Sequence, residues 1–363
     1  MATPTWGTRG VSDLRATRIA ASTPAIDIQG DIADEIRRLL AIHNAQVADM
    51  FGDFLAGTTT EQYVEVDNVG EMTLTELTEW GTPEAQKTEG GDSFAIPFRL
   101  FARGLQWNYR FLKSATADEY IKDAQALMLA DIKNTRYRFL TTLFRPTNYT
   151  FKDRLYNKAS LPIKALANAD SMYISPLPDG TPVDASTHTH FLANATLTAA
   201  FMIACGDTVA EHYDTGQTVI SIPRSAEATV RAMTGTNEFV PYPNPAVTYA
   251  PTTILANGRT LDTRQTYDRA IGVIGPSSYE VRVKPWVPAA RLTVHQQGGP
   301  KPIVKRLSPV GDEQGLHVRF NGEIDPLVAE VMENLFDFGV VNRVAAAVAR
   351  FDNGTYAAPT LTV

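Results

Sequence analysis

The feature that most constrains the fold of this chain is one uninterrupted helical pattern of about thirty residues. Apolar residues recur at helical spacing from Tyr120 to Leu143, Thr116 and Glu119 match a capping box, and Pro146 ends the pattern. At ~1.5 Å per residue, such a helix is roughly 45 Å long, which exceeds the width of a small domain. We therefore predict a long strut helix over residues 116–145, against which the rest of the chain packs.

The segment before this helix has the pattern of an extended acidic hairpin. Residues 63–67 and 72–77 alternate between apolar and polar, residues 81–91 have a loop composition, and residues 94–101 return as a strand. Nine acidic residues and one lysine between positions 61 and 92 give this segment a net charge of −8, against −7 for the whole chain. A two-stranded hairpin is not stable alone, so it needs a partner surface on its own chain or on another.

Two further segments suggest contacts between copies. Residues 1–30 have the scattered apolar residues, prolines and glycines of an arm, and we expect a neighbouring subunit to hold it. Residues 281–306 carry six basic residues and no acid. This basic block and the acidic hairpin could steer subunits onto each other, or they could be two solvated faces that never meet.

The remaining residues alternate between helical and strand patterns, which indicates a mixed α/β module beside the long helix. Asp31 is a candidate cap for a first helix that stops near Gly57. Further helices are predicted at residues 196–213, 224–233 and 326–336, and strands at residues 218–222, 271–274, 279–283 and 292–294.

The composition excludes several classes of protein. With 363 residues and 44% hydrophobic residues, the chain can bury the core of two linked domains. It has no run of ~18 apolar residues, so no membrane-spanning helix is expected. The first ten residues lack the apolar region of a secretory signal. Cys205 is the single cysteine, which rules out an intramolecular disulfide, and the net charge of −7 does not favour nucleic-acid binding.

No residue pattern predicts catalysis, a metal site or a cofactor. His188 and His190 are too few for a zinc site without a nearby cysteine, and we interpret them as ordinary polar loop residues. Cys205 lies in an apolar stretch and is predicted to be a small buried hydrophobic residue. The chain contains no G-x-S-x-G, P-loop, H-E-x-x-H or G-x-G-x-x-G motif.

Two stretches and one turn carry a resemblance to a known family. The first stretch runs from His188 to Leu192, with the helix end Ala210–Tyr213 and the strand Thr218–Pro223 after it. The second runs from Phe336 to Val348 and continues through Asp352–Tyr356 to Pro359, and the turn is Trp286–Ala289. These stretches resemble the major capsid proteins of tailed bacteriophages, which have a similar Val-Pro step at the position of the turn.

This resemblance implies an α+β fold of the Hong Kong 97 type with five regions. They are an N-arm at residues 1–30, an N-terminal helix and lead-in at residues 31–60, an extended acidic hairpin loop at residues 61–105, a peripheral domain at residues 106–194 and 313–363 with its spine helix at residues 116–145, and an α/β axial domain at residues 195–312. Because about thirty arm-like residues precede the first helix, a separate scaffolding protein or scaffold-free assembly is expected.

The function implied is that of a major capsid protein that is not an enzyme. Copies of the chain would assemble in the host cytoplasm into the hexamers and pentamers of an icosahedral virion shell enclosing double-stranded DNA, which they would contact without sequence specificity. Scaffolding, portal and decoration proteins are further candidate partners, and no membrane or cofactor is expected. Two alternatives stay open: an encapsulin-type nanocompartment around a cargo enzyme, and a soluble two-domain enzyme with an undetected site.

Candidate contact residues follow from the charge pattern. We expect hairpin residues of one copy to pair with basic residues of another. The hairpin candidates are Glu71, Glu76, Glu79, Glu84 and Lys87, and the basic candidates are Arg136, Arg138, Lys152 and Arg154. Some capsid proteins of this fold cross-link a loop lysine to a neighbour's asparagine, and Asn342 is a conceivable acceptor, but we expect Lys87 to remain uncrosslinked. Arg9, Arg15 and Arg18 of the arm are candidate inward-facing cations.

Overall fold

The structure, a computed structural model, describes residues 29–48, 50–66, 76, 81–82, 92–108, 117–155, 160–213, 216–233, 235, 238–242, 269–324 and 327–362. Over these residues the chain forms four α-helices: α1 (Gln29–Ala48), α2 (Ala117–Phe144), α3 (Ala199–Ala210) and α4 (Glu227–Arg231). The predicted arm apart from residues 29 and 30, and about half of the hairpin predicted at residues 61–105, including its second strand at residues 72–77 apart from Glu76, lie outside the described residues. Among the described helices, none is long and apolar enough to cross a membrane.

The larger sheet has seven strands and is built from the second half of the chain. Its spatial order is β7-β16-β12-β8-β11-β10-β9, and the pairs β8–β11 and β7–β16 are parallel whereas the others are antiparallel. The strands are β7 (Phe191–Ala193), β8 (Gln217–Ile222), β9 (Phe239–Pro241), β10 (Arg269–Ile274), β11 (Tyr279–Val283), β12 (Arg291–Gln297) and β16 (Ala346–Arg350).

The smaller sheet has five strands and is organised around one long strand, β15 (Leu327–Val340). Its neighbours are β4 (Arg99–Asn108), β14 (His317–Ile324) and β13 (Ile303–Leu307), and β13 pairs in turn with β1 (Leu55–Thr59). Two hairpins complete the described strands: β2 (Tyr63–Val66) with β3 (Asp92–Ala95), and β5 (Tyr149–Lys152) with β6 (Ser160–Ile163).

The prediction of a helix at residues 326–336 is wrong, because this segment is the first part of β15. Its polar residues Glu330, Glu333, Asn334 and Asp337 recur at helical spacing, which imitates the solvated face of an amphipathic helix. In the folded chain all four are buried. Glu333, Asn334 and Asp337 have polar partners on other segments, so the local pattern misled the assignment.

The predicted strut helix is confirmed as α2, which extends over 28 residues from Ala117 to Phe144. At ~1.5 Å per residue it is roughly 42 Å long. Its buried face changes along its length. Ile121, Ala124 and Met128 pack with residues of α1 near the start, and Phe139 and Leu143 enter an aromatic cluster near the end.

Two hydrophobic cores hold the sheets and helices together. Between α3 and one face of the seven-stranded sheet, Met202, Cys205 and Val209 pack on sheet residues such as Ile220 and Leu292. The second core is rich in aromatic rings, where Phe139 of α2 stacks on Phe51 at 3.8 Å and meets Phe338 of β15 edge-on at 5.7 Å. Strand β16 contributes to both cores, because Ala347 and Ala349 face the first whereas Ala346 and Val348 face the second.

The predicted strand at residues 94–101 is interrupted. Strands β3 and β4 are separated by residues 96–98, which are buried without belonging to a strand. The guanidinium of Arg306 donates to the carbonyl oxygen of Ile96 at 2.9 Å and lies 4.9 Å from the centre of the Phe98 ring. This interaction with a distant strand turns the chain where a local pattern predicts continuity.

The basic block at residues 281–306 is not a charged surface. Lys284, Arg291, Lys305 and Arg306 are each at most 7% exposed. Lys284 donates to the Asp53 carboxylate at 2.8 Å, Arg291 donates to the carbonyl oxygen of Ala357 at 2.9 Å, and Lys305 lies over the Phe336 ring. Because these cations are used inside the chain, the block is not available as a whole to pair with the acidic hairpin of a neighbour.

Most of the smaller helices and strands agree with the predictions within a few residues, but the first helix ends at Ala48 and not near Gly57, because Leu55–Thr59 form strand β1. Helix α1 begins at Gln29, so Asp31 lies inside the helix and is not its cap. Helix α3 is shorter than predicted and is capped by Thr198, whose hydroxyl accepts a hydrogen bond from the amide of Phe201. Gly206 lets α3 approach the sheet closely, since a Cβ there would overlap the ring of Tyr279.

Candidate functional site

A basic groove lies where β4, β5 and the end of α2 meet. Its volume is about 600 Å³. Four cationic side chains line it, and its lining residues include no acid. The cations are Arg99, Arg145, Lys152 and Arg154. Leu100 and Leu155, which are 42% and 40% exposed, give the same groove two apolar positions.

Local structure explains why these cations face outward. Phe151 and Leu161 of the β5–β6 hairpin are buried, so the alternate residue Lys152 is exposed, and Arg154 follows the strand in an exposed position. The guanidinium of Arg99 stacks 4.6 Å from the centre of the Phe151 ring, and that of Arg145 lies 4.1 Å from the centre of the Tyr149 ring. Burial raises the pKa of Tyr149, so this phenol stays neutral and adds no negative charge.

The predicted basic contact residues do not form one group. Lys152 and Arg154 lie together in the groove, and Arg136 is exposed on α2. Arg138 is turned inward, with its side chain 12% exposed, and it binds both oxygens of the buried Asp337 carboxylate at 3.0 and 2.7 Å. Burial alone would lower the pKa of Arg138, but the Asp337 carboxylate raises it above its ordinary value. Arg138 is therefore neutralised within its own chain.

The remaining predicted contact residues are mostly outside the described part of the chain. Glu71, Glu79, Glu84 and Lys87 of the hairpin, and Arg9, Arg15 and Arg18 of the arm, lie outside the described residues. Glu76 is described and is exposed. Sequence reasoning missed Arg99 and Arg145, which no local pattern distinguishes from other arginines. Their signal is tertiary, because the groove brings together residues from two separate parts of the chain.

A second group of functional side chains is a cluster of three histidines. The Nε2 atom of His188 lies 2.9 Å from that of His190 and 3.0 Å from that of His212, and the last two are 3.2 Å apart. His188 and His190 precede β7, and His212 follows α3. The prediction that the first two are ordinary polar loop residues is wrong for His190, which is fully buried. Sequence reasoning missed His212 because it is 22 residues away from His190, beyond the next helix.

The cluster is buried and electrically neutral. The exposed fraction of the side chain is 17% for His188 and 3% for His212. Burial lowers the pKa of all three rings: that of His190 is well below its ordinary value, and that of His212 falls to about 4, with His188 as a further cause. At neutral pH the imidazoles are therefore uncharged, which is the form that binds metal ions. The Glu211 carboxylate lies 3.7 Å from the Nε2 atoms of both His188 and His212.

The other residues considered for chemistry have structural surroundings. Cys205 is a free, fully buried thiol, as predicted, and burial raises its pKa well above the ordinary value. Asn342, the conceivable acceptor of a cross-link, donates its side-chain amide to the hydroxyl of Tyr213 at 3.1 Å and accepts a bond from the amide of Val344. Both ends of its side chain are therefore engaged within the chain.

Comparison with known proteins finds solved structures of similar fold. No protein-family model matches it, and no curated protein matches its sequence. A solved structure from Mycobacterium phage Patience is 19% identical, covers 93% of this chain and 93% of that chain, and has a TM-score of 0.68. The capsid of a native GTA particle is 14% identical over 85% of this chain and 91% of that chain, with a TM-score of 0.46. The holo-SrpI encapsulin complex from Synechococcus elongatus is 12% identical over 84% of this chain and 86% of that chain, with a TM-score of 0.42.

The similarity to the Patience structure identifies the fold. It extends over nearly the full length of both chains and is close enough to relate their architecture, although the sequences have diverged widely. The chain thus has a mixed helix-and-strand fold of the Hong Kong 97 type found in phage capsid proteins. The resemblance to phage major capsid proteins predicted from its sequence is confirmed at the level of the fold.

Proposed function

We propose that this chain is the major capsid protein of a tailed bacteriophage, and that many copies close into an icosahedral shell of hexamers and pentamers around double-stranded DNA. The observation that carries the proposal is the fold shared with the Patience structure over 93% of both chains. The role is structural and not catalytic. Helix α2 would stiffen the subunit as the spine helix, and the seven-stranded sheet would form the axial domain around the symmetry axis of each capsomer.

The basic groove supports a specific contact between neighbouring copies. It presents Arg145, Lys152 and Arg154, together with Arg99, which also donates to the buried Asp337 carboxylate at 2.9 Å, and the segment at residues 61–92 carries a net charge of −8. We infer that the acidic segment of one subunit binds in the groove of the next, while Leu100 and Leu155 bury apolar area. Each exposed ion pair contributes only about 0–1 kcal/mol, but a closed lattice repeats the contact many times.

The first experiment is electron microscopy of the purified chain together with its mass from light scattering. Closed icosahedral particles or flat hexamer sheets are expected, and the particle diameter then gives the number of subunits. A chain that stays a monomer or dimer at every salt concentration, with and without crowding agents, would contradict the proposal. Particle contents test the encapsulin alternative, because packaged DNA favours the phage capsid whereas a packaged protein favours a nanocompartment.

The groove contact is tested by charge reversal on each side. Reversing Lys152 and Arg154 to Glu, or Glu76 and Glu79 to Lys, should sharply reduce the yield of particles, because each variant places like charges together. Combining the two pairs of reversals in one chain should restore part of the yield. The matched control reverses Arg37 and Lys133, which are exposed outside the groove, and should assemble normally.

Circular dichroism and thermal melting separate a failure of assembly from a failure of folding. All the charge-reversal variants should melt within a few degrees of the unaltered subunit, since the altered side chains at Glu76, Lys152 and Arg154, like those of the control, are exposed. Unchanged particle yields from both groove variants would overturn the proposed contact but would leave the capsid function standing.

A further inference from the structure

We propose that His188, His190 and His212 form a binding site for a divalent transition metal ion, with Zn²⁺ as the expected occupant. This site is independent of the groove and of the proposed capsid function. It rests on the meeting of the three Nε2 atoms at 2.9, 3.0 and 3.2 Å, with His190 buried and the other two rings partly buried.

The three nitrogens cannot satisfy one another by hydrogen bonding. In a neutral imidazole, each ring nitrogen carries either a proton or a lone pair. Three mutually adjacent nitrogens therefore always include two of the same kind, facing each other at hydrogen-bond distance. Two facing protons or two facing lone pairs repel, and burial removes most of the water that could screen them. A cation between three lone pairs removes this conflict.

The position of His190 indicates which nitrogens carry lone pairs. Its Nδ1 atom lies 2.8 Å from the carbonyl oxygen of Ala346, and because a carbonyl only accepts, Nδ1 is the protonated nitrogen. The Nε2 atom of the neutral ring then presents its lone pair to His188 and His212. A ring held by a bond from its other nitrogen to a backbone carbonyl is the usual outer support of a metal-binding histidine.

The distances between the nitrogens fit a metal ion. Zinc binds histidine nitrogen at ~2.0–2.1 Å, so two ligand nitrogens at angles of about 90–105° lie roughly 2.9–3.3 Å apart. The three measured separations lie in this range. Three imidazoles then occupy one face of the metal and leave a further position open for water or a carboxylate. Glu211, whose carboxylate oxygen is 3.7 Å from two of the Nε2 atoms, is the nearest candidate for that position.

The surrounding backbone holds the ligands in place before any metal binds. The amide of His190 donates to the carbonyl oxygen of Ala167, and its carbonyl oxygen accepts from the amide of Val348. The carbonyl oxygen of His188 accepts from the amide of Ala169. The guanidinium of Arg343, which acts on His190 electrostatically, is paired with both oxygens of Asp170 at 3.0 Å. That pairing reduces its repulsion of a dication.

A bound metal would add a link between parts of the chain that already meet by packing and by the hydrogen bond from Asn342 to Tyr213. His212 lies just after α3, which belongs to the first core, whereas His190 is attached through Val348 and Ala346 to the strand that enters the second core. The metal would therefore link the two cores at the edge of the seven-stranded sheet. It would act as a structural clamp that stabilises the fold without taking part in a reaction.

The test measures metal content and metal-dependent stability of the untagged full chain. Inductively coupled plasma mass spectrometry should find about one zinc per chain after purification without chelators. Removal of the metal with a chelator should lower the melting temperature, and added Zn²⁺ should restore it. Binding of Co²⁺ to the metal-free chain should give visible absorption bands typical of nitrogen ligands.

Variants show whether the metal is bound by these three residues. His212→Gln and His188→Asn should each reduce the bound metal at least tenfold and abolish the rise in melting temperature on adding Zn²⁺. The control His317→Asn alters a histidine outside the cluster and should bind metal like the unaltered chain. If a ligand variant does not fold, the Co²⁺ spectrum of the unaltered chain still shows whether nitrogen ligands bind the metal. A chain with less than a tenth of an equivalent of metal, unchanged melting on adding Zn²⁺ and no Co²⁺ bands would overturn the proposal.

Discussion

Two of the contacts between helix and sheet in the described part of the chain are built in opposite ways. Helix α3 rests on the seven-stranded sheet through apolar side chains, with Met202, Cys205 and Val209 fully buried. Helix α2 rests on the five-stranded sheet partly through buried polar groups, because Arg138 binds Asp337 and Asp131 accepts a bond from Asn334. Apolar contact is not directional, whereas a buried ion pair demands one geometry.

The difference indicates what each contact contributes. Apolar packing tolerates a change of shape at the same volume, since neighbouring side chains can move into the space. The polar contact determines which residue of α2 meets which residue of β15, and Asp337 also accepts from Arg99 of β4 at 2.9 Å. Helix, central strand and edge strand are therefore aligned by one carboxylate. We expect a substitution in the polar contact to lower the free energy of unfolding strongly even when the shape of the side chain is kept. We expect a substitution in the apolar contact to lower it according to the volume removed.

The largest expected effect is at Asp337. Replacing Asp337 with Ala should lower the free energy of unfolding by about 3–5 kcal/mol, because it leaves the buried guanidinium of Arg138 without its partner. Asp337→Asn should lower the free energy of unfolding by most of the same amount, since asparagine has the shape of aspartate but not its charge. Urea denaturation of the subunit, followed by circular dichroism, measures both.

The matched control for Asp337 is an exposed ion pair. Asp34 and Arg37 of α1 are 75% and 74% exposed, so Asp34→Ala should change the free energy of unfolding by less than ~0.5 kcal/mol. A loss below ~1 kcal/mol for Asp337→Ala would break the comparison, because the two helix–sheet contacts would then respond alike.

The next effect is in the apolar contact of α3. Met202→Ala should cost about 2–3 kcal/mol, from lost burial and a cavity that flexible neighbours partly fill. Met202→Leu should cost less than ~1.5 kcal/mol, because volume and polarity are kept. Thr208→Ala on the same helix serves as the control for helix position. If Met202→Leu were as damaging as Met202→Ala, the apolar contact would be as demanding of geometry as the polar one.

The smallest effect is a pH dependence at the seven-stranded sheet. Burial lowers the pKa of His295 on β12 to about 4, from an ordinary value of 6.5. The unfolded chain therefore takes up this proton first as pH falls, so stability present above pH 6.5 is lost progressively down to about pH 4. Denaturation between pH 7 and pH 4 should show a shallower decline for His295→Gln than for the unaltered chain, and identical slopes would contradict it.

The local sequence pattern predicted helices and strands correctly where the side chains that define an element share one environment. Helix α2 was predicted within one residue at each end because apolar residues recur at helical spacing at both ends of its length, although the polar Asp131 and Thr135 occupy the buried positions between them. Strand β11 was predicted with its observed bounds, since its residues alternate between buried and partly buried positions. The burial of Cys205 likewise followed from its apolar neighbours.

Local pattern failed where distant segments supply the environment. The polar residues of β15 imitate a solvated helix face, yet Glu333 pairs with Arg319, Asn334 with Asp131, and Asp337 with two arginines. The cations of residues 281–306 were predicted to lie on the surface, but partners such as Asp53, which pairs with Lys284, lie elsewhere in the sequence. Counting the charged residues in a short stretch of sequence does not identify such pairs, because the two partners lie far apart along the chain.

The sequence by itself determined the helices, most strands and the family resemblance, because periodicity and turn residues act over a few neighbouring positions. Tertiary structure alone decided which charges are exposed and which are paired. It placed Arg99 and Arg145 beside Lys152 in the groove, and it brought His212 to His188 and His190. Sites of this kind depend on the positions of separate segments in space, and those positions are set by packing and strand pairing across the whole chain.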